Sequence, residues 1–205
     1  MADPSKFLES CLWALIDAND DAALTELCRK IVPRVLVALR SDAARGKALE
    51  VVKTLSSRVK SATAVVLPVV EIYDVFTNPE ASPYEKNIAL MFLEMGWKRA
   101  EPTVQAKMVL RMLVNIAAHA EQYQITLLQM VLSALEHVGS LTSTSWTSIK
   151  LEGADAKVVR TFLLNVLLVT PPGAGQARAA VTAPAGAHMY ICIHICIFIY
   201  IYTYI

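Results

Sequence analysis

The polar stretch from residue 17 to residue 21 carries acidic side chains at the spacing of a calcium-binding loop. Asp17, Asn19 and Asp21 occupy the first, third and fifth positions of such a loop. The loop also needs glycine at its sixth position for a sharp turn and glutamate at its twelfth to close the site. Ala22 and Cys28 stand at those two positions. We therefore expect no calcium site, and a polar turn between two helices accounts for the acids.

Cysteine and histidine side chains are the other candidate metal ligands. Cys192, His194 and Cys196 alternate along the last part of the sequence. Zinc sites in proteins usually have four ligands, often supplied as two pairs, and no second pair accompanies these three residues. His119 and His137 are far apart and lie near no cysteine or carboxylate cluster, so we interpret them as helix-surface histidines. The sequence predicts no metal site.

Signals for phosphate binding and catalysis are weak. The Gly46-Lys47 pair lacks the first glycine of a phosphate-binding loop, and neither a dinucleotide fingerprint nor a nucleophile elbow occurs. The segment SLTSTSWTS, residues 140–148, could accept phosphate, but a flexible connection around a packed Trp146 is the simpler interpretation. We predict a protein that is not an enzyme, with no catalytic residue, no cofactor and no small-molecule substrate.

Charge and composition narrow the class of partner. The 205 residues include 19 basic and 18 acidic side chains, so the net charge of +1 exerts no broad attraction on nucleic acid. The first ten residues contain an early acid and no apolar run of a secretory signal. Cys11 and Cys28 fall within apolar helical patterns, as reduced buried thiols do. These features predict a cytoplasmic and nuclear location and a protein partner.

Apolar residues recur three and four positions apart from Lys6 to Thr170, and no run alternates with a period of two. This pattern predicts an all-α fold. Ser82, Pro83 and Glu85 form the elements of a capping box, Gly139 is placed to end a helix, and Pro33 should kink or restart the second helix. The predicted helices lie near residues 6–17, 22–39, 42–60, 66–77, 83–97, 102–118, 121–138 and 155–169.

The helices show an internal repeat of forty-one residues. A serine, a basic residue, an Ala-Leu step and a further aliphatic residue recur in the same order. The two sets are Ser41, Arg45, Ala48, Leu49 and Val52, and then Ser82, Lys86, Ala89, Leu90 and Leu93. This period is typical of HEAT or armadillo repeats, and chance similarity between amphipathic helices is the alternative. A third copy at 121–138 is weak, because this helix does not repeat the Ala-Leu step at the equivalent position. We predict a right-handed α-solenoid of HEAT-like antiparallel helix pairs.

The chain after this array differs in composition. The helix at 155–169 has a wide apolar stripe formed by Val158, Val159, Phe162, Leu163, Val166 and Leu167. No polar cap follows it, and we expect a further repeat to be missing. We predict a helical repeat domain over residues 1–170, a linker rich in Pro, Gly and Ala over 171–188, and a separate tail over 189–205.

The tail, MYICIHICIFIYIYTYI, raises the apolar share of the chain to 55% and its mean hydropathy to +0.45. Isoleucine alternates with residues whose codons lie within one base of TAT, so we interpret it as translated simple-repeat DNA, disordered or non-native. A tail anchor is the alternative reading. Its seventeen residues are at the lower limit for a spanning helix, strict Ile/Tyr alternation favours strand, and no basic cluster flanks it. We therefore expect no membrane partner.

Specific motifs in the helical region resemble a known family. They are the Arg58-Val59-Lys60-Ser61 step, the Leu67-Pro68-Val69 start, the turn from Asn78-Pro79 to Ser82-Pro83, and the Met95-Gly96-Trp97 helix end. In this order they resemble the N-terminal region of the large HEAT-repeat proteasome adaptor and scaffold of the Ecm type. The resemblance covers most of residues 1–170 and none of 171–205.

This resemblance implies a non-enzymatic adaptor that binds proteasome particles, holds core and regulatory particles together and links them to other proteins. No motif in the segment marks the partner-binding residues. Two alternatives are a HEAT scaffold of the transport or phosphatase type and, from the tail alone, a tail-anchored helical protein. The family members are far longer than this chain.

Overall fold

The computed structural model describes residues 4–138 and, from 154 to 162, every residue except 156 and 160. All regular secondary structure in this part of the chain is α-helical, which confirms the predicted all-α class. Within the same residues no helix is long and apolar enough to cross a bilayer. The helices are α1 (Pro4–Asp17), α2 (Asp21–Ala38), α3 (Asp42–Ser61), α4 (Val69–Thr77), α5 (Pro83–Trp97), α6 (Pro102–Ile116) and α7 (Glu121–Val138).

The helix boundaries follow local chemistry. α4 begins at Val69 and not near residue 66, because the residue before Pro68 is disfavoured in helical conformation and Pro68 itself becomes the N-cap. α2 continues through Pro33 as one helix, so the helix does not restart there, and the alternative of a kink stays a prediction. α7 is described as far as Val138, and the helix end predicted at Gly139 lies outside the described residues. The described residues between 154 and 162 are helical, as expected for the start of an eighth helix.

The chain divides into two compact units, and the division falls after Gln105. In the first unit, α2 and α3 form one helix pair, and α4 and α5 form a second. The contact between α4 and α5 is the most extensive between any two helices of this unit. α1 packs on α3, and α2 packs on both helices of the second pair. The large side chains fully buried in this unit are Leu8, Leu15, Leu24, Leu36, Leu39, Leu55, Ile72, Tyr73, Phe76, Phe92 and Leu93.

Polar contacts show how the two helix pairs are aligned. Near the start of α2, Asp21 Oδ2 accepts a hydrogen bond from the Ala64 N–H at 3.1 Å, and Thr25 Oγ1 accepts one from the Val66 N–H at 3.2 Å. Residues 64 and 66 lie just before α4, so α2 and α4 start at the same side. The end of α5 likewise lies beside the end of α3, where Arg99 bonds to the Val59 carbonyl at 2.9 Å. Successive pairs therefore stack in the same direction, as in an α-solenoid.

The forty-one-residue repeat has a structural counterpart in α3 and α5. Ser41 and Ser82 are the N-caps of these helices. Ala48 and Ala89, at equivalent positions, are both fully buried, where a small side chain permits close helix approach. Val52 and Leu93 are buried as well, whereas Leu49 is half-buried and Leu90 buried. The match agrees with repetition of one helix-pair unit.

The second unit contains the rest of α6, α7 and the described residues of 154–162. Its core consists of aliphatic, methionine and aromatic side chains. The buried residues are Ala106, Met108, Val109, Met112, Leu113, Ile116, Tyr123, Leu127, Met130, Val131, Ala134, Val159 and Phe162. In the turn between α6 and α7, Gln124 Nε2 donates a hydrogen bond to the His119 carbonyl at 2.7 Å. The linker and tail lie outside the described residues, and their predicted boundaries remain predictions.

Gly96 is required where α5 passes the start of α4. A Cβ atom at this position would lie 2.8 Å from Val69 Cγ1 and 2.9 Å from Leu67 Cβ. We predict that Gly96→Ala lowers the free energy of unfolding by about 1–3 kcal/mol, because both neighbours belong to a packed core. Urea denaturation followed by circular dichroism measures this change.

Gly46 provides the matched control. It lies inside α3, and a Cβ there would meet nothing within 4 Å. Gly46→Ala should therefore raise the free energy of unfolding by about 0.5–1 kcal/mol through helix propensity. Equal effects of the two substitutions would contradict the proposed close approach at Gly96.

Candidate protein-binding surface

The acidic turn considered for calcium has structural roles. Asp20 N-caps α2, and its Oδ1 accepts a hydrogen bond from the Ala23 N–H at 2.6 Å. Asp21 holds the segment before α4 through Ala64. The Ala18 carbonyl accepts a hydrogen bond from Arg58. These bonds join the turn to later parts of the first unit.

The candidate metal ligands do not converge in the described part of the chain, where no group of three or more His, Cys, Asp or Glu side chains could hold an ion. His119 is half-buried in the turn between α6 and α7, so its predicted place on a helix surface is wrong. The side chain of His137 lies outside the described residues, as do Cys192, His194, Cys196 and the loop around Trp146. Gly46 and Lys47 lie in the first half of α3, and the Lys47 amino group is 3.7 Å from a carboxylate oxygen of Glu9.

The two described thiols are poor nucleophiles. Cys11 and Cys28 are free and buried, as the sequence predicted. Burial raises the pKa of Cys11, and the positive charge of Arg34 offsets part of the increase. Burial raises the pKa of Cys28 to about 11, although Arg58 lowers it. Both groups are therefore protonated at neutral pH, and a thiol must lose its proton to react.

A buried ion pair joins the two helix pairs of the first unit. Glu85 is fully buried at the start of α5. Its Oε2 lies 2.9 Å from Arg40 Nε and its Oε1 2.9 Å from Arg40 Nη2, a bidentate arrangement at the end of α2. Hydrogen bonding to Glu85 raises the pKa of Arg40, so this side chain stays charged. Exposed Glu80 adds a looser contact to Arg40 at 3.7 Å.

One of the two hydrogen bonds of the predicted capping box is present, and the other is replaced by this ion pair. Ser82 Oγ accepts a hydrogen bond from the Glu85 N–H at 3.2 Å, as predicted. The Glu85 carboxylate, however, binds Arg40. A buried carboxylate gains more from a guanidinium than from one backbone N–H, and the fold brings Arg40 within reach. Sequence periodicity held no signal for this pairing.

Two further arginines form equivalent contacts one repeat apart. Arg58, near the end of α3, donates a hydrogen bond to the Ala18 carbonyl after α1. Arg99, after α5, donates to the carbonyls of Val59 at 2.9 Å and Ala62 at 2.7 Å, at the end of α3. Arg58 and Arg99 are forty-one residues apart, as are Ala18 and Val59. The forty-one-residue spacing that relates Ser41 to Ser82 also relates these two arginines, so the repeat is the sequence signal for their contacts.

An open groove lies between the ends of α3 and α5. It encloses about 330 Å³ and is lined by Lys60, Met91, Glu94, Met95, Lys98 and Arg99. The methionines are half-buried, and the two lysines and the glutamate are exposed. Arg99 is engaged by helix carbonyls, so the lysines carry the charge available to a ligand. We call this surface the Lys60–Lys98 groove.

A second exposed feature is apolar and lies on α1. Trp13 is 63% exposed and Ile16 is 62% exposed. Their spacing of three residues places them on one helix face, where half-buried Leu12 adjoins them. Exposed clusters of this kind are typical of protein contacts. Both features belong to the first unit, and neither has the geometry of a catalytic site.

Comparison with known proteins connects these helices to proteasome proteins. Residues 8–192 match the family model described as "Proteasome component ECM29, N-terminal". The chain is 26% identical over 168 residues to the human "Proteasome adapter and scaffold protein ECM29", covering 79% of this chain and 9% of that protein. It is 27% identical over 132 residues to the Drosophila melanogaster "Proteasome-associated protein ECM29 homolog", covering 63% of this chain and 7% of that protein.

The chain thus spans less than a tenth of the length of these relatives. The family match continues to residue 192, beyond the boundary at Thr170 where the sequence motifs placed the end of the resemblance. No solved structure matches the chain.

The Arg40–Glu85 pair predicts strong coupling between its members. Arg40→Met leaves a buried carboxylate without its partner and should cost about 3 kcal/mol of unfolding free energy. The double variant Arg40→Met with Glu85→Leu should lose less than the sum of the two single variants, by about 2 kcal/mol. Urea denaturation of the four proteins measures this coupling, and additivity within about 0.5 kcal/mol would contradict it.

The repeated arginine contact predicts a second effect on stability. Arg99→Ala leaves the Val59 and Ala62 carbonyls without their donor and should lower the unfolding free energy by about 1–3 kcal/mol. The control is Arg29→Ala, because Arg29 forms an exposed ion pair with Glu26 at 3.0 Å. That substitution should cost less than about 0.5 kcal/mol. A loss at Arg99 no greater than that at Arg29 would show that the contact does not stabilise the stack.

Proposed function

Because this chain belongs to the family of the N-terminal region of proteasome component ECM29, we propose that it is a non-enzymatic, proteasome-binding adaptor or scaffold segment. The family match over residues 8–192 is the observation that supports this function most directly. The names of the human and Drosophila relatives describe a proteasome adapter and scaffold and a proteasome-associated protein. The proposal transfers that association to a chain that corresponds to a small part of each relative.

The structure of the first unit suits this role. Helix pairs stacked in the same direction offer adjoining helix ends and faces on which another protein can dock. The Arg40–Glu85 ion pair and the Arg58 and Arg99 contacts fix each helix layer to the next. A surface fixed in this way loses less conformational entropy when a partner binds, which favours affinity.

We further propose that the segment helps to hold core and regulatory particles together, and that it acts in the cytoplasm and the nucleus. A scaffold performs this task by contacting two particles at once, so that the second contact becomes intramolecular. The Lys60–Lys98 groove and the Trp13–Ile16 face are two distinct surfaces of the first unit available for such contacts. The acidic turn makes contacts within the first unit and the described thiols are buried, so we assign neither of them a role in binding.

Binding to purified proteasomes tests the proposed association. The full chain, shown to be monodisperse by size-exclusion chromatography, is immobilised and incubated separately with purified core particles and with assembled proteasomes. A helical-repeat protein of similar size and net charge serves as the control. We expect proteasome subunits to be retained above the control level. Retention equal to the control for both particles would contradict the proposal.

A further inference from the structure

We propose that the Lys60–Lys98 groove binds an acidic protein segment that carries an apolar residue among its carboxylates. This inference rests on the proposed function in one respect, that the ligand is a protein. The groove lies at the boundary between two helix pairs, where the ends of α3 and α5 meet. It combines exposed positive charge with half-buried methionine side chains.

In the described part of the chain, the side chains of Lys60 and Lys98 have no structural partner. Within the described residues neither Lys60 nor Lys98 forms an ion pair or a side-chain hydrogen bond. The carbonyls at the end of α3 are bound by Arg99, through Val59 and Ala62. The lysine ammonium groups are therefore free to bind carboxylates, and each has three donors for that purpose. Glu94 is the one acidic side chain among the six that line the groove.

The methionines supply the apolar part of the site. Met91 and Met95 are four residues apart on α5, so they lie on one face of the helix. Their half-buried side chains line the groove between the charged groups. Methionine is flexible and polarizable, and it is common at surfaces that accept varied apolar side chains. A leucine or phenylalanine flanked by acids matches this pattern of charge and apolar surface.

A protein segment fits this surface better than nucleic acid or an anionic membrane. The chain as a whole has a net charge of +1, and the groove has two lysines available and one glutamate. Nucleic-acid and membrane surfaces recruit extended basic patches, because affinity there grows with the number of neutralised phosphates or lipid charges. The apolar lining would contribute little to binding a phosphate backbone. Local charge complementarity therefore favours a short acidic peptide.

Fluorescence anisotropy with a synthetic peptide tests the proposal. The labelled probe contains two leucines flanked on each side by three acidic residues, and the full chain is the titrant. We expect saturable binding that weakens as salt is added, since exposed charges are screened. Lys60→Glu with Lys98→Glu should weaken binding by about tenfold or more, because like charges then face each other. Replacing the two leucines of the probe by serine should weaken it as well.

Matched variants separate groove binding from general charge effects and from misfolding. Lys6→Glu with Lys30→Glu makes the same change in net charge at exposed lysines on α1 and α2 and should alter affinity by less than about twofold. Glu94→Lys removes the acidic side chain from the groove and should strengthen binding several-fold, a gain that loss of structure cannot produce. Circular dichroism confirms that each variant keeps its helical content.

Several results would overturn the proposal. The first is absence of peptide binding at millimolar chain concentration, and the second is an equal loss of peptide affinity in the Lys6→Glu, Lys30→Glu control. The third is equal binding of a peptide that has lysines in place of its acids. The fourth is complete displacement of the probe by a short RNA at a lower concentration than the unlabelled peptide requires. Because no proteasome is present, these results would leave the proposed proteasome association intact. Failure of proteasome capture would likewise leave peptide binding to the groove untouched.

Discussion

Arginine guanidinium groups fix one helix layer of the first unit to the next. The surface that the first unit offers to a partner depends on how these layers are aligned. Arg40 crosses from the end of α2 to the buried carboxylate of Glu85 at the start of α5. Arg58 donates a hydrogen bond to the Ala18 carbonyl after α1, and Arg99 donates one to the Val59 carbonyl at the end of α3. The two arginines are forty-one residues apart, as are the two carbonyls. Apolar burial brings the helices together, but it is tolerant of small shifts, whereas a bidentate ion pair and directed hydrogen bonds specify one alignment.

The sequence predicted the parts of this structure that depend on neighbouring residues. Helix periodicity and caps depend on contacts three or four residues apart, so α1–α7 and the N-cap Ser82 followed from the printed sequence. The partner of Glu85 did not, because it lies forty-five residues away and is selected by the packing of two helix pairs. Of the kink or restart expected at Pro33, the restart is absent, since neighbouring buried positions such as Val32 and Val35 hold α2 in place despite the missing donor.

The candidate surface was less predictable than the fold. Lys60 and Met95 belong to motifs that carried the family resemblance, but their position in a shared groove depends on the contacts of Arg99 that join the end of α5 to the end of α3. The exposure of Trp13 and Ile16 also needed the structure, because tryptophan and isoleucine in a helical pattern are ordinarily assigned to a core. The acidic and thiol side chains that were considered for ligand binding or catalysis make structural contacts or are buried in the described region. Asp20 caps a helix, Asp21 holds a loop, and Cys28 is buried with a raised pKa.

We propose that the helix layers of residues 4–105 form a fixed platform to which proteasome particles bind. Hydrogen–deuterium exchange of the full chain, with and without saturating purified proteasome, measures both the fixed packing and the binding. We expect slow, cooperative exchange of α2 to α5 in the free chain, and added protection on binding at the ends of α3 and α5 or on α1. Independent rapid exchange of the individual helices, or unchanged exchange throughout these residues in the presence of proteasome, would contradict it.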